Sequence, residues 1–249
     1  MNLAYKVIKM LDKILNFILY IIFAIIFLFS LYALFDIYNV YYKASNKSVS
    51  EYKPTEDNFN NDVKDLKKVN ADVCAWIIID GTNIDYPVLR GKNNYEYVSR
   101  DMYKNYSSSG SIFLDFRNSM DFSDNYSIIF GHNMNGGVMF TDVKKFIEKD
   151  FFDKHLTGTL YTEDKIFKLE TLAFINTNAY DTYVYRPNIN DLNTQKEKIE
   201  YIKEHAINYR DIDINEEDKL LALSTCSNLS NDDRYLLIVK LTENKTVNK

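Results

Sequence analysis

Three side chains in this sequence are of the types that nucleophilic acyl chemistry needs, and each lies where a strand is expected to meet a turn. Cys226 ends the run LLALSTC and is followed by the polar pair Ser227 and Asn228. An apolar run stopped by polar turn residues predicts a buried strand, Leu220 to Thr225, that surfaces at the thiol. His132 follows a second such run, Ser127 to Phe130. Arg234 immediately precedes a third, Tyr235 to Leu241, eight residues after Cys226. Only the thiolate attacks, and at ordinary pKa values of about 8.5 and 6.5 roughly 3% of a thiol is ionised at pH 7 and about a quarter of an imidazole is protonated. A neighbouring His can stabilise the thiolate and later protonate a leaving amine. An Arg, always charged and forked, can hold an oxyanion or a carbonyl. Each residue has a plainer alternative: a structural thiol, a loop His between Gly131 and Asn133, and a surface Arg paired with Asp232 or Asp233.

The composition narrows the classes. A chain of 249 residues suits one main domain with an appendage. The net charge of −5 comes from interspersed signs, which speaks against a nucleic-acid partner. Twenty Tyr and 16 Phe favour a β-rich core. The two Cys form no C-x-x-C pattern, and the three His (His132, His155, His205) are scattered, so neither a zinc site nor a disulfide scaffold is expected. No metal and no cofactor enter this reading.

The N-terminal region reads as a membrane segment. From Ile14 to Phe35 run 22 residues without a charge. As a helix they span about 33 Å, against a hydrocarbon core of about 30 Å. Lys6, Lys9 and Lys13 precede the run and Asp36 follows it, which predicts a cytoplasmic N-terminus and an external remainder. A cleaved signal peptide would have a shorter apolar region and a small-residue cleavage site, so an uncleaved anchor is favoured.

Tyr38 to Val69 is polar and reads as a stalk entering a short amphipathic helix with Val63, Leu66 and Val69 as its stripe; a disordered linker is the alternative for Tyr42 to Asn58. Beyond it the sequence predicts strands at Cys74 to Ile79, Ile84 to Leu89, Ser111 to Leu114, Ser127 to Phe130, Thr159 to Tyr161, Ile166 to Ile175, Tyr183 to Tyr185, Leu220 to Thr225 and Tyr235 to Leu241. A helix is predicted over Phe140 to Phe151 with Val143, Phe146 and Ile147 inward. A second is expected from a capping box at Thr194 to Glu197, running to about Ile207 with Ile199, Ile202 and Ala206 buried. The fold class that follows is mainly β with helical additions: a closed β-barrel with an N-terminal helix and a helix inserted between late strands.

Several of these segments resemble the class B sortases, membrane-anchored cysteine transpeptidases of Gram-positive bacteria. The resemblance covers about Ala75 to Leu241 together with the anchor. WIIIDGTNIDYPVLRG (Trp76 to Gly91) resembles the family's first strand pair, and IIFGHNMNGGVMF (Ile128 to Phe140) the segment carrying its catalytic His. Leu223 to Cys226 resembles the Leu-x-Thr-Cys signature, and Asp233 to Leu241 the strand carrying the Arg. The helix from Thr194 is similar to the class B insertion. Two departures are Ala222, where members often have Thr, and Ser227, where some have an acid that helps shape the substrate pocket. On this resemblance, residues 1–13 are the cytoplasmic N-terminus, 14–35 the transmembrane anchor, 36–69 the stalk and N-terminal helix, and 70–249 the catalytic domain.

What the resemblance implies is specific. Cys226 attacks the carbonyl of a Thr in a sorting motif near the C-terminus of a secreted protein. Arg234 and a backbone N–H hold the oxyanion, and His132 protonates the leaving amine. An amine of peptidoglycan, of lipid II or of another surface protein then resolves the thioacyl intermediate. Asn94, Val98, Phe130 and Ser224 are implied to line the groove, with Tyr183 and Tyr185 as further candidates or as ordinary packing. Cys74, inside an apolar run beside Trp76, is expected to be a buried thiol outside the chemistry, and His155 and His205 to be structural. Every candidate lies beyond Trp76, so the anchor is expected to be dispensable for chemistry and a fragment from about Ser45 to cleave peptide. Two rivals remain: a papain-like cysteine hydrolase, whose nucleophile would begin a helix, and an inactive membrane-tethered binding module.

Overall fold

The computed structural model describes residues 3–187, 192–226 and 232–246. The chain divides into two units, Met1–Val40 and Tyr41–Lys249. In the first, helix α1 (Leu3–Ala44) has 42 residues and so a length of about 63 Å. Its long apolar stretch is unburied. A helix apolar all round, with no protein face to cover it, is suited to a lipid surround. The last residues of α1 belong to the second unit.

The second unit opens with a 3₁₀ helix, Asn46–Tyr52, and α2 (Phe59–Val69). Phe59, Val63 and Leu66 are almost fully buried, each such side chain contributing about 1.5–3 kcal/mol. Val69, expected on that stripe, is 40% exposed: the buried face runs from Phe59 and ends one turn earlier. Within the stretch open to a linker reading, Val49 is buried beside α2.

The strands are β1 (Val73–Ile79), β2 (Asp85–Leu89), β3 (Phe113–Leu114), β4 (Tyr126–Phe130), β5 (Thr157–Thr162), β6 (Lys165–Asn178), β7 (Ala206–Tyr209), β8 (Lys219–Cys226) and β9 (Asp233–Thr246), with α3 (Lys149–Lys154) before β5 and α4 (Leu192–His205) between β6 and β7. Their order is β5-β1-β2-β3-β4-β8-β9-β6-β7, and pairing of β5 with β6 closes the first eight into a barrel. The short β7 pairs with β6 beyond the end of β5. Alternation sorts the side chains: Leu221 and Leu223 join Ile77, Ile129, Leu237 and Val239 in the main core, while Leu220 and Ala222 join Ile128, Leu236 and Ile238 beneath Ile202 of α4. With both faces covered, β8 reads as a continuous apolar run rather than an alternating one.

Further expectations are corrected. The helix predicted over Phe140 to Phe151 is broken into a 3₁₀ helix, Thr141–Ile147, and α3, with Glu148 extended between them. The break lets Phe146 and Phe152 both be buried and leaves Ile147, expected inward, 38% exposed. Tyr183 to Tyr185 is a turn, not a strand, because Asp181 accepts the N–H groups of Tyr183 and Val184 at 2.9 and 3.1 Å and closes the chain on itself. Thr194 lies within α4, which begins at Leu192, so it does not open the helix. The strand expected from Tyr235 begins at Asp233, which puts Arg234 inside it. Ser227 and Asn228 fall outside the described residues.

Candidate active site

The pairing of three strands builds the site. β4 and β8 run parallel, so their C-terminal ends lie together, and antiparallel β9 begins at the same end. Register then fixes the face. Phe130 pairs with Ser224, and Cys226 pairs with Arg234. Directly paired residues point to the same side, as do residues two apart, so Phe130, Ser224, Cys226 and Arg234 share one face. His132 follows β4 at this edge. Its Nε2 is 2.8 Å from the carbonyl oxygen of Val98. A carbonyl can only accept, so Nε2 carries the hydrogen and Nδ1 is the nitrogen left to exchange a proton.

These residues line a cleft of about 410 Å³, with Asn94, Val98, Asp115, Arg117 and Tyr185. Cys226 is exposed at its strand tip, whereas Cys74 is buried and both thiols are free. Burial pushes the Cys74 thiol up to about 12, and its Sγ lies 3.4 Å from the carbonyl oxygen of Val88. It is therefore a protonated core side chain at neutral pH. Arg234 donates to its neighbour Asp233 through the backbone carbonyl, at 2.9 Å.

The floor is aromatic. Phe130 stacks on Tyr185 with centroids 6.2 Å apart, and Phe113 leans against Phe130 at 5.3 Å. The Tyr185 hydroxyl lies 2.8 Å from Oγ of Ser224. Burial raises the Tyr185 pKa, with the Ser224 hydrogen bond opposing the shift, so the phenol stays protonated and able to donate. Tyr183, proposed alongside it, does not line this cleft. It is half exposed and stacks on Tyr201 of α4 at 4.8 Å. In a strand, residues 183 and 185 would share a face; in the turn they diverge.

Sequence reasoning missed the scaffold beneath the wall. Asp115 is fully buried and accepts from Nε and a terminal nitrogen of Arg117 at 2.8 and 2.7 Å and from the Asn94 amide at 2.9 Å. Burial by itself would raise the Asp115 pKa; the hydrogen bonds from Arg117 and Asn94 outweigh it and hold the carboxyl below its ordinary value. Arg117 also reaches the carbonyl of Tyr185 at 3.1 Å, tying the turn to this network. Asn133 donates to the carbonyl of Cys226 at 3.0 Å, which joins the loop after His132 to the thiol-bearing strand. No local pattern marks Asp115 among the chain's acids; the one signal is its place directly after the apolar run Ile112 to Leu114.

His155 stacks on Phe151 at 3.7 Å and His205 on Tyr201 at 3.9 Å, each with Nδ1 facing the carbonyl four residues back. Both stand in structural settings.

Residues 77–242 match the sortase domain family. The chain belongs to the sortases. Its relatives place it in class B. It is 29% identical to sortase B of Listeria monocytogenes over 72% of each chain. It is 38% identical to a crystal structure of a Streptococcus pyogenes class B sortase involved in pilus biogenesis, covering 72% of this chain and 97% of that one with a TM-score of 0.66. Against a Staphylococcus aureus sortase B–substrate complex the identity is 26%, the coverage 74% and 86%, and the TM-score 0.69. This class B sortase has the closed eight-stranded barrel, N-terminal helix and additional helix of those structures, and its class is that of cysteine transpeptidases acting at the cell wall. Cys226 closes a strand rather than opening a helix, which is not the papain arrangement.

Proposed function

We propose that this sortase cleaves a C-terminal sorting signal after a Thr and transfers the acyl group to an amine, with Cys226 as nucleophile, His132 as proton carrier and Arg234 as oxyanion donor. The observation that carries the reading is the convergence of the three residues on one edge of β4, β8 and β9 around a single cleft. The Cys226 thiolate adds to the Thr carbonyl, and the guanidinium of Arg234, beside it in the cross-strand pair, stabilises the resulting oxyanion. Nδ1 of His132 delivers a proton to the departing nitrogen as the C–N bond breaks, leaving a thioester on Sγ. An incoming amine attacks that thioester, His132 takes its proton, and the thiolate is released with a new amide. Asn94, Val98, Phe130, Tyr185 and Ser224 form the cleft wall that receives the peptide.

The acceptor is an amine of peptidoglycan or its lipid II precursor, or of another surface protein; the pilus role of the Streptococcus pyogenes relative supports the last. The partners are thus secreted proteins with a sorting signal and a wall or protein amine. We further propose residues 14–35 as a single membrane span within α1, residues 1–13 on the cytoplasmic side, residues 36–69 as stalk and packing helix, and residues 70–249 as an external catalytic domain. The lysines before the span support that orientation.

The test is cleavage of a sorting-peptide library with and without added amine, followed by mass spectrometry of the trapped acyl-enzyme. The expected result is an adduct on Cys226 and an amide product that grows with amine. Free acid unaffected by amine would indicate a hydrolase, and failure of Cys226 to react with thiol probes or peptides would indicate a binding module.

A further inference from the structure

The loop that follows His132 has a bent backbone. It runs from Asn133 to Met139, which form an isolated antiparallel bridge, and it contains Gly136, Gly137 and Met139 at φ of +86°, +72° and +57°. Left-handed conformations are easy for Gly but cost a residue such as Met about 1 kcal/mol, so neighbouring structure must hold this path. Part of the hold comes from the domain itself. The Met139 amide donates to the Tyr86 hydroxyl at 2.8 Å, and the Met134 amide to Oγ1 of Thr141 at 2.9 Å.

Another part comes from the end of α1. The Tyr41 ring lies against Gly136 so closely that a Cβ there would sit 2.9 Å from its Cε1. Three residues on, Ala44 is buried in the main core, in the cluster that contains Met139 and Phe140 and is flanked by Met134 and Val138. Between them Lys43 stands 4.0 Å from Asp101. Asp101 organises the loop just after Val98 by accepting the amides of Tyr103 and Asn105, and Val98 supplies the carbonyl that holds His132. One helical turn thus touches both segments that orient the imidazole.

We propose that Tyr41 is a positioning residue for His132, and that the last turn of the N-terminal helix is part of the active-site scaffold rather than of a passive tether. The inference rests on the assignment of His132 as proton carrier. A fragment beginning at Ser45 lacks the whole device.

The experiment uses the full chain in detergent micelles, with peptide transfer measured for wild type, Tyr41→Ala, Tyr41→Leu, Tyr41→Phe and His132→Ala. Tyr41 is not in the cleft wall, so Tyr41→Ala should lower kcat while leaving KM within twofold; misplacement of a catalytic group by about 1 Å can cost up to 100-fold, and a loosened loop should cost about tenfold. Tyr41→Phe keeps the ring on Gly136 and should restore wild-type kcat, with Tyr41→Leu between. Hydrogen exchange across residues 133–139 should be faster in the Ala and Leu variants. Unchanged kcat and exchange in both, or a loss that Phe does not restore, overturns the proposal. Tyr41→Leu carries the test if Tyr41→Ala fails to fold. Full activity of His132→Ala would overturn the underlying assignment instead, whatever Tyr41 does.

Discussion

Replacing Asp115 by Asn tests whether the cleft wall is held from beneath. The substitution keeps size but removes the charge that accepts from Arg117 and Asn94. Breaking a fully buried ion pair costs about 3–5 kcal/mol, whereas exposed pairs are worth about 0–1 kcal/mol. Here the Asp115 side chain is fully buried but that of Arg117 is 42% exposed, so water takes over part of the stranded guanidinium. The expected loss is about 2 kcal/mol, which for a domain of this size is a fall of about 4–8 °C in Tm. Asn94 would lose one orienting hydrogen bond, worth about 0.5–1.5 kcal/mol, so kcat/KM should fall by about 2- to 13-fold. The stability gap should depend on pH with a definite sign. Asp115 is held below its ordinary pKa, so its contribution is complete above the unfolded value of about 3.9 and is lost as pH falls through the folded value. Thermal unfolding of both proteins between pH 3 and 7 should therefore show a constant difference above about pH 5 that shrinks below about pH 4. A variant with wild-type Tm and unaltered kcat/KM would refute the idea that this carboxylate supports the wall.

Arg234→Lys should lose about 10²- to 10³-fold in kcat in a folded protein, since an ammonium cannot reproduce the planar fork; near wild-type turnover would reduce Arg234 to a surface charge. Cys226→Ala and His132→Ala should each abolish transfer, with the double variant hardly worse than either, and additive losses in the cycle would separate the two residues. Cys74→Ala should retain activity and lose about 1–2 kcal/mol of stability in urea titration, so an inactive but folded Cys74→Ala would contradict its placement in the core. Burial lowers the Lys198 pKa from the ordinary lysine value to about 7, with its ammonium over the Tyr126 ring and its donors on the carbonyls of Tyr183 and Arg186. The unfolded chain then binds more protons at this group above about pH 7, so its contribution makes stability rise with pH from there. Lys198→Met should remove that rise, and parallel stability profiles from pH 6 to 9 would show that Lys198 is not desolvated as described.

Legibility followed whether the apolar pattern alone decided the element. Most strands were readable because each is a short apolar run closed by turn residues, a signal contained within a few positions. The failures came where packing or a side-chain-to-backbone bond overrode the apolar pattern. Residues 140–151 look like one helix locally, but burying both Phe146 and Phe152 required a break at Glu148. Tyr183 to Tyr185 has aromatic strand character, yet the Asp181 carboxylate closed it into a turn and sent the two rings to different places. The four-residue strand β7 takes over Ala206 and Ile207, which continue the apolar stripe expected of the preceding helix, and it exists by pairing with β6.

By itself the sequence determined the apolar N-terminal helix, the β-rich composition, and the placing of a thiol, an imidazole and a guanidinium at the ends of three apolar runs. These are properties of composition and short periodicity. Tertiary structure alone decided that the three ends meet. A period of two says which residues share a face of their own strand, but not which strand lies beside it or in which direction. The parallel pairing of β4 with β8 and the antiparallel return of β9 supply that information and bring Phe130, Cys226 and Arg234 to one edge. The burial of Asp115 and the seating of Tyr41 on Gly136 are of the same kind, since each joins segments far apart in the chain whose contact no local pattern encodes.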